Sequence, residues 1–217
     1  MSLERVTLSR SDPSDAARNV LWRHAPQAAV LVVLFPGMAY PIDAPLLRFA
    51  RLSALAQGQD VLELEYAFQA VRAPLGEGAE EALVAEVREV VERARPATYR
   101  RLLFVSKSLG TRIAPAVAQA AGLRVDHVLL TPVPSTIPTI EGSGAWVVAG
   151  DADPVLPRPW LDRLAQDGTL RLKVIRGGDH ALEIPGDVAR SLDALATTTT
   201  RVEEAIASCI AAAQRDG

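Results

Sequence analysis

The stretch Ser106-Lys107-Ser108-Leu109-Gly110 follows directly on an apolar run, residues 102–105, and a helical pattern begins at Leu109. A serine on a sharp strand-to-helix turn has its hydroxyl lifted above the sheet edge, where it becomes a nucleophile if a neighbouring base takes its proton. Such a turn needs small residues two before and two after the serine; Gly110 meets this on one side, and Ser106 stands on the other where a glycine is usual. Three other strand ends carry chemistry: Pro36-Gly37-Met38-Ala39-Tyr40, Gly150-Asp151-Ala152-Asp153-Pro154, and Arg176-Gly177-Gly178-Asp179-His180. A serine, a carboxylate and an imidazole are what acyl transfer requires: nucleophile, orienting acid and proton shuttle. Of the three histidines, His180 alone follows a strand, in a glycine-rich turn. His24 lies in an opening hairpin and His127 where a strand begins, at the opposite end of the sheet from Ser108, so both are expected to be structural or solvated. Asp153 and Asp151 both remain open as the acid, and Asp179 reads as a solvated turn residue. The plainer role for Ser108 is to cap the helix that follows.

These residues need a scaffold that gathers strand ends. The run at 29–35 is apolar and β-branched without interruption, as expected for a strand buried on both faces. Residues 61–64, 102–105, 128–130 and 145–149 resemble it, whereas 170–175 alternates. Residues 3–9 and 19–24 read as an antiparallel hairpin across the turn chemistry of 11–15. Helical patterns lie between the strands. In 79–95, Leu83, Val84, Val87, Val90, Val91 and Ala94 form one apolar stripe at a period of 3.6. Shorter helices are expected at 46–57, 109–121 and 160–165. The tail is expected as two helices, 187–196 and 202–214, broken at the run Thr197–Thr200, with Thr200 and Glu203 forming a capping box. Strands alternating with helices predict an α/β fold: a mostly parallel central sheet with helices on both faces, a three-layer sandwich.

The sequence resembles the α/β-hydrolase family. Residues 106–110 resemble its nucleophile elbow, and its chain order of serine, acid, histidine is matched by Ser108, Asp153 and His180. Gly150-Asp151-Ala152-Asp153 resembles the family's Gly-x-x-Asp after the next-to-last strand, which favours Asp153 over Asp151. The departures are Ser106 for glycine and Pro36-Gly37 for the commoner His-Gly. The resemblance implies an oxyanion hole made by the backbone N–H groups of Leu109 and Met38. It implies a small, capless serine hydrolase, of the esterase or dienelactone-hydrolase type, cleaving a carboxylic ester or thioester with no cofactor or metal. The alternative is a hydrolase-like binding protein with little catalysis. The family often inserts a lid between its sixth and seventh strands; here residues 132–144 only suffice for a crossover, so an open site is expected. Met38, Tyr40, Tyr66, Phe68 and that proline-rich crossover are expected to shape it, with core packing as the other role for Tyr66 and Phe68.

Composition bounds the rest. The chain has 217 residues, 49% hydrophobic and 23% charged, with a formal charge of −3. Residues 1–217 are expected to form a single α/β-hydrolase domain. One cysteine, Cys209, excludes an internal disulfide and a multi-cysteine zinc site. Scattered arginines and a negative balance argue against nucleic acid. The longest apolar run, 28–35, is far short of a membrane span, and the polar start shows no secretory signal, so a cytoplasmic protein acting on a small molecule is expected.

Overall fold

The computed structural model describes residues 2–10, 16–95 and 99–216; the turn expected at 11–15 lies outside them. Eight strands form one sheet in the order β1-β2-β4-β3-β5-β6-β7-β8. The hairpin β1 (Ser2–Leu8) and β2 (Asn19–Ala25) is antiparallel, and β2 joins antiparallel to β4 (Asp60–Glu63). From β4 onward all pairs are parallel: β3 (Val30–Phe35), β5 (Arg101–Lys107), β6 (Asp126–Leu130), β7 (Trp146–Gly150) and β8 (Arg171–Ile175).

The uninterrupted apolar run of β3 has the expected cause. All six of its residues are buried, and they divide by parity between two layers. Val30, Val32 and Leu34 pack against α1 (Pro45–Ala56) and α7 (Val188–Arg215), whereas Leu31, Val33 and Phe35 pack against α3 (Glu80–Ala94) and α4 (Leu109–Ala120). On this second side, Leu129, Val147 and Ala149 pack with α6 (Arg158–Gln166) through Leu161 and Leu164. Between them run the short α2 (Ala67–Ala70) and, after β6, one 3-10 turn leading to α5 (Ile137–Ile140).

The chain reverses direction across the sheet at β3. It leaves β3 for β4 on one side, then returns to pair β5 on the other, so the helices that follow β3 and β5 cover opposite faces. The loops there diverge and open a crevice beyond the strand ends, the place where open parallel sheets bind ligands. Register fixes what meets in it. Phe35 pairs with Ser106, so Pro36-Gly37 comes to lie beside Lys107-Ser108.

The tail differs from expectation: α7 runs unbroken from Val188 to Arg215. The Thr198 and Thr199 hydroxyls donate to the carbonyls of Ala194 and Leu195, four residues back, each at 2.8 Å, so they complete helical turns rather than leave them. Glu203, expected in a capping box with Thr200, instead accepts from the Ser53 hydroxyl of α1 at 3.0 Å. Arg201 of the same turn stacks on Trp146, whose ring it shares with Arg171, each guanidinium 4.7 Å from the centroid. Tertiary contacts outweigh the low helix propensity of four threonines.

At the far ends of the strands, Asp60 accepts hydrogen bonds from the His24 N–H at 2.8 Å and the Tyr99 hydroxyl at 2.6 Å. His127 lies edge-on to Phe104, where burial pulls its imidazole down to about 4. Both histidines are thus part of the scaffold. Among the described residues no helix is long and apolar enough to cross a membrane.

Candidate active site

Ser108 sits between β5 and α4 with φ +51° and ψ −115°, a left-handed conformation that a side chain makes costly. Tight packing over-determines it. A Cβ on Gly110 would lie 2.7 Å from the carbonyl oxygens of Phe35 and Pro36, so only glycine lets α4 approach β3 this closely. Ser106 is tolerated because its hydroxyl, fully buried, donates to the Val128 carbonyl at 3.2 Å. The Ser108 carbonyl accepts from the Thr111 N–H at 2.8 Å and starts α4, but the Ser108 hydroxyl makes no capping bond. It lies 2.8 Å from His180 Nε2.

His180 is delivered by the loop after β8. The loop is built by Asp179, which the sequence had suggested to be a solvated turn residue: its carboxylate accepts from the Ala181 N–H at 2.8 Å and the Glu183 N–H at 3.0 Å. His180 Nδ1 is 2.8 Å from Asp153 Oδ2. A carboxylate at Nδ1 holds the proton there, so Nδ1–H donates to Asp153 and Nε2 is left to accept from Ser108. The structure therefore brings Asp153 to His180. Asp151, the other candidate, is exposed and accepts from the Gly177 N–H, tying the β7 loop to the turn before His180.

Burial raises the Asp153 carboxyl, but the hydrogen bonds from His180 and the Val155 and Leu156 N–H groups outweigh it, so it titrates below the ordinary 3.8. A carboxyl depressed in the folded state adds stability that is present above its unfolded value and lost as pH falls through the folded one. Acid titration is therefore expected to lower the melting temperature of the wild type below about pH 4 more steeply than that of Asp153→Asn; superimposable acid limbs would remove Asp153 from this account.

The loop after β3 approaches the serine closely, with a Cβ built on Gly37 only 3.3 Å from Ser108 Cβ. Its carbonyls are drawn away. The Tyr66 hydroxyl donates to Pro36 O at 3.2 Å, and Gln69 Nε2 donates to Gly37 O at 2.7 Å and Met38 O at 3.3 Å. The N–H of Met38 and that of Leu109, at the start of α4, make no hydrogen bond among the described residues, and the helix N-terminus adds positive potential. Tyr66, expected at the site wall or in the core, is fully buried and braces this loop; Phe68 lines a cleft with Met38. Gln69 carried no sequence signal beyond following β4. If this loop supplies an oxyanion donor, replacing Gln69 by alanine is expected to lower turnover about 10-fold, less than the roughly 10²–10³-fold cost of removing a donor outright because the N–H is displaced and not deleted, with KM little changed, as measured by steady-state kinetics.

Two clefts flank the loop of residues 38–43. One, of about 590 Å³, has Trp22, Met38, Ile42 and Phe68 with Arg51 and Arg72 on its walls. The other, of about 600 Å³, is more apolar and runs from Tyr40 and Leu46 past Leu182 to Val188 and Leu192. The connection 131–145 adds only the 3-10 turn and α5, with Ile137 and Ile140 buried against the sheet, so this segment does not fold over Ser108. Among the described residues no group of three His, Cys, Asp or Glu side chains is placed to hold a metal ion. Cys209 is buried in α7 with its thiol pushed up to about 12.

A mostly parallel eight-stranded sheet between helical layers, with these loops at its strand ends and no lid, is the α/β-hydrolase fold. No family model matches the chain, and no curated protein sequence does. Solved structures do. A serine hydrolase without a lid from Xanthomonas campestris is 15% identical, over 93% of this chain and 94% of that one, with a TM-score of 0.64. Est1E from Butyrivibrio proteoclasticus, solved with ferulic acid bound, is 12% identical over 95% and 99% of the two chains, with a TM-score of 0.69. A thermostable esterase from Pseudomonas putida is 14% identical over 96% and 83%, with a TM-score of 0.61.

Proposed function

We propose that the protein is a serine hydrolase that cleaves small carboxylic esters or thioesters by acyl transfer. The observation that carries this reading is the continuous chain Ser108 Oγ–His180 Nε2 and His180 Nδ1–Asp153 Oδ2, 2.8 Å at each link, at the point where the sheet reverses. As Ser108 Oγ attacks the carbonyl carbon, its proton passes to Nε2, and Asp153 steadies the imidazolium. The negative charge that develops on the carbonyl oxygen is met by the N–H groups of Met38 and Leu109. Collapse breaks the bond to the alcohol or thiol, which leaves with the proton from Nε2. Water then enters, gives its proton to Nε2, and releases the acid and the free serine. No step calls on a cofactor or metal.

Support also comes from the open rim, which suits a small substrate, and from the fold, shared with a thermostable esterase and with Est1E, which holds ferulic acid. The test is a fluorophosphonate probe together with a short-chain nitrophenyl ester. Labelling and turnover in the wild type, both lost in Ser108→Ala, are the expected result. A folded wild type that neither labels nor turns over any ester or thioester in a panel would overturn the reading in favour of a binding protein.

A further inference from the structure

Lys107 immediately precedes Ser108 and is one of only two lysines in the chain. It is also among the largest fully buried side chains, 1% exposed, where lysine is seldom found without a purpose. Its ammonium donates to the carbonyl of His180 at 2.8 Å and lies 5.0 Å from the centroid of the Tyr40 ring. Tyr40 in turn belongs to the loop that carries Met38: its carbonyl accepts from the Gly37 N–H at 3.0 Å, and its hydroxyl accepts from the Leu46 N–H at 2.9 Å. One buried cation thus touches the two loops that flank the serine, and it reaches the histidine through the histidine's own backbone.

We propose that Lys107 is a positioning residue: its ammonium fastens the His180 carbonyl and the Tyr40 ring to the end of β5, and turnover falls when that ammonium loses its proton. The inference rests on the serine-hydrolase reading above. The physical reason is that a charged donor makes a hydrogen bond about twice as strong as a neutral one, and that a cation is drawn to the face of an aromatic ring more strongly than a neutral amine. A neutral amine keeps neither advantage, and the His180 carbonyl then loses its charged donor. A displacement of about 1 Å at a reacting group costs roughly 10²-fold in rate.

The surroundings place the titration in an accessible range. Burial pulls the Lys107 ammonium down to about 8; Asp153, from the loop after β7, and Asp179, from the loop after β8, oppose the fall. These loops also carry Asp43, Asp151, Arg176, Asp187 and His180 itself, together with Tyr40, whose hydroxyl burial pushes up to about 12, and Glu183, which acts on Tyr40. For a lysine lowered on folding, the unfolded chain holds a proton between about pH 8 and 10.5 that the folded chain has released, so the contribution of Lys107 to stability rises with pH there. Loss of turnover over that interval would therefore run opposite to this group's effect on folding.

The experiment is the pH dependence of kcat and KM on a nitrophenyl ester from pH 6 to 10, for wild type, Lys107→Met and Lys107→Arg, with fluorophosphonate labelling and thermal melting at each pH. The wild type is expected to lose turnover above about pH 8, with KM little changed and the protein still folded. Lys107→Met is expected to turn over about 10²-fold more slowly and without that alkaline limb. Lys107→Arg, which stays charged, is expected to recover part of the rate and to hold it to higher pH. A wild-type profile flat to pH 10, or a Lys107→Met limb superimposable on the wild type's, overturns the proposal; the first of these needs no variant to fold. Absence of labelling and turnover in the wild type at every pH instead overturns the underlying hydrolase reading.

Discussion

Ser108→Ala is expected to lower kcat for a short-chain ester by about 10⁶-fold, the scale on which removing the nucleophile of such a unit disables it. The substitution takes away one oxygen. The proposed backbone donors at Met38 and Leu109 stay, so a residue of rate above water should survive. Stability should barely move, within about 0.5 kcal/mol. The lost bond was to an imidazole whose side chain is 26% exposed and can turn to water, and alanine faces the same cost as serine at φ +51°. Steady-state kinetics, probe labelling and a thermal melt on the same preparation make the comparison. A drop of less than about 100-fold in a folded variant would mean that another group attacks.

Gly150→Ala should have the largest effect on the fold. A Cβ there would lie 2.0 Å from the carbonyl oxygen of Gly178 and 2.9 Å from that of Asp179, both backbone atoms of the loop that ends in His180. The end of β7 is also sewn to that loop: Asp151 N–H donates to Ile175 O at 3.2 Å and Ala152 N–H to Gly178 O at 3.1 Å. The methyl group cannot be absorbed by a rotamer change, so the loop must move. Overpacking of this kind costs about 3 kcal/mol, roughly 6–12 °C in melting temperature for a chain of this size. Because Gly178 is two residues from His180, turnover should fall about 10²-fold in whatever fraction stays folded. Gly168→Ala is the matched control, since a Cβ there meets nothing within 4 Å; it should leave both melting temperature and rate unchanged. Equal behaviour of the two variants would show that the close approach at Gly150 does not hold the loop.

The framework was legible because buried parallel strands announce themselves. The continuous apolar run at 29–35, and the shorter ones like it, need two covered faces, and only helices between strands can supply them. Ser108 and His180 could be found by asking which polar residues follow such runs. What escaped notice depends on contacts between distant segments. Asp151 and Asp153 stand two residues apart, and the residues alone left both open; only the family resemblance favoured Asp153, because the choice turns on the path of a loop. Thr198 and Thr199 looked like a break because local propensity says nothing of Trp146, 55 positions before Arg201, waiting to be stacked upon. Lys107 stands between two serines, and nothing in its neighbourhood reveals a carbonyl 73 residues further on. Gln69 carried no motif at all, and Tyr66, expected at the site wall or in the core, gave no sign that both brace a loop some 30 positions before them.

The brevity of residues 131–145 has a temporal meaning. Enzymes that fold a lid over their substrate add opening and closing to each cycle, and those motions often limit the rate. Here that segment is pinned to the sheet by Ile137 and Ile140, and it has no slack to swing. On the proposed acyl-transfer reading, entry and departure are expected to be matters of diffusion along a rim, and the rate to be set by bond making at Ser108 Oγ. On that same reading, an acylated Ser108 would stand open to whatever nucleophile the surroundings hold, with water favoured only by its abundance.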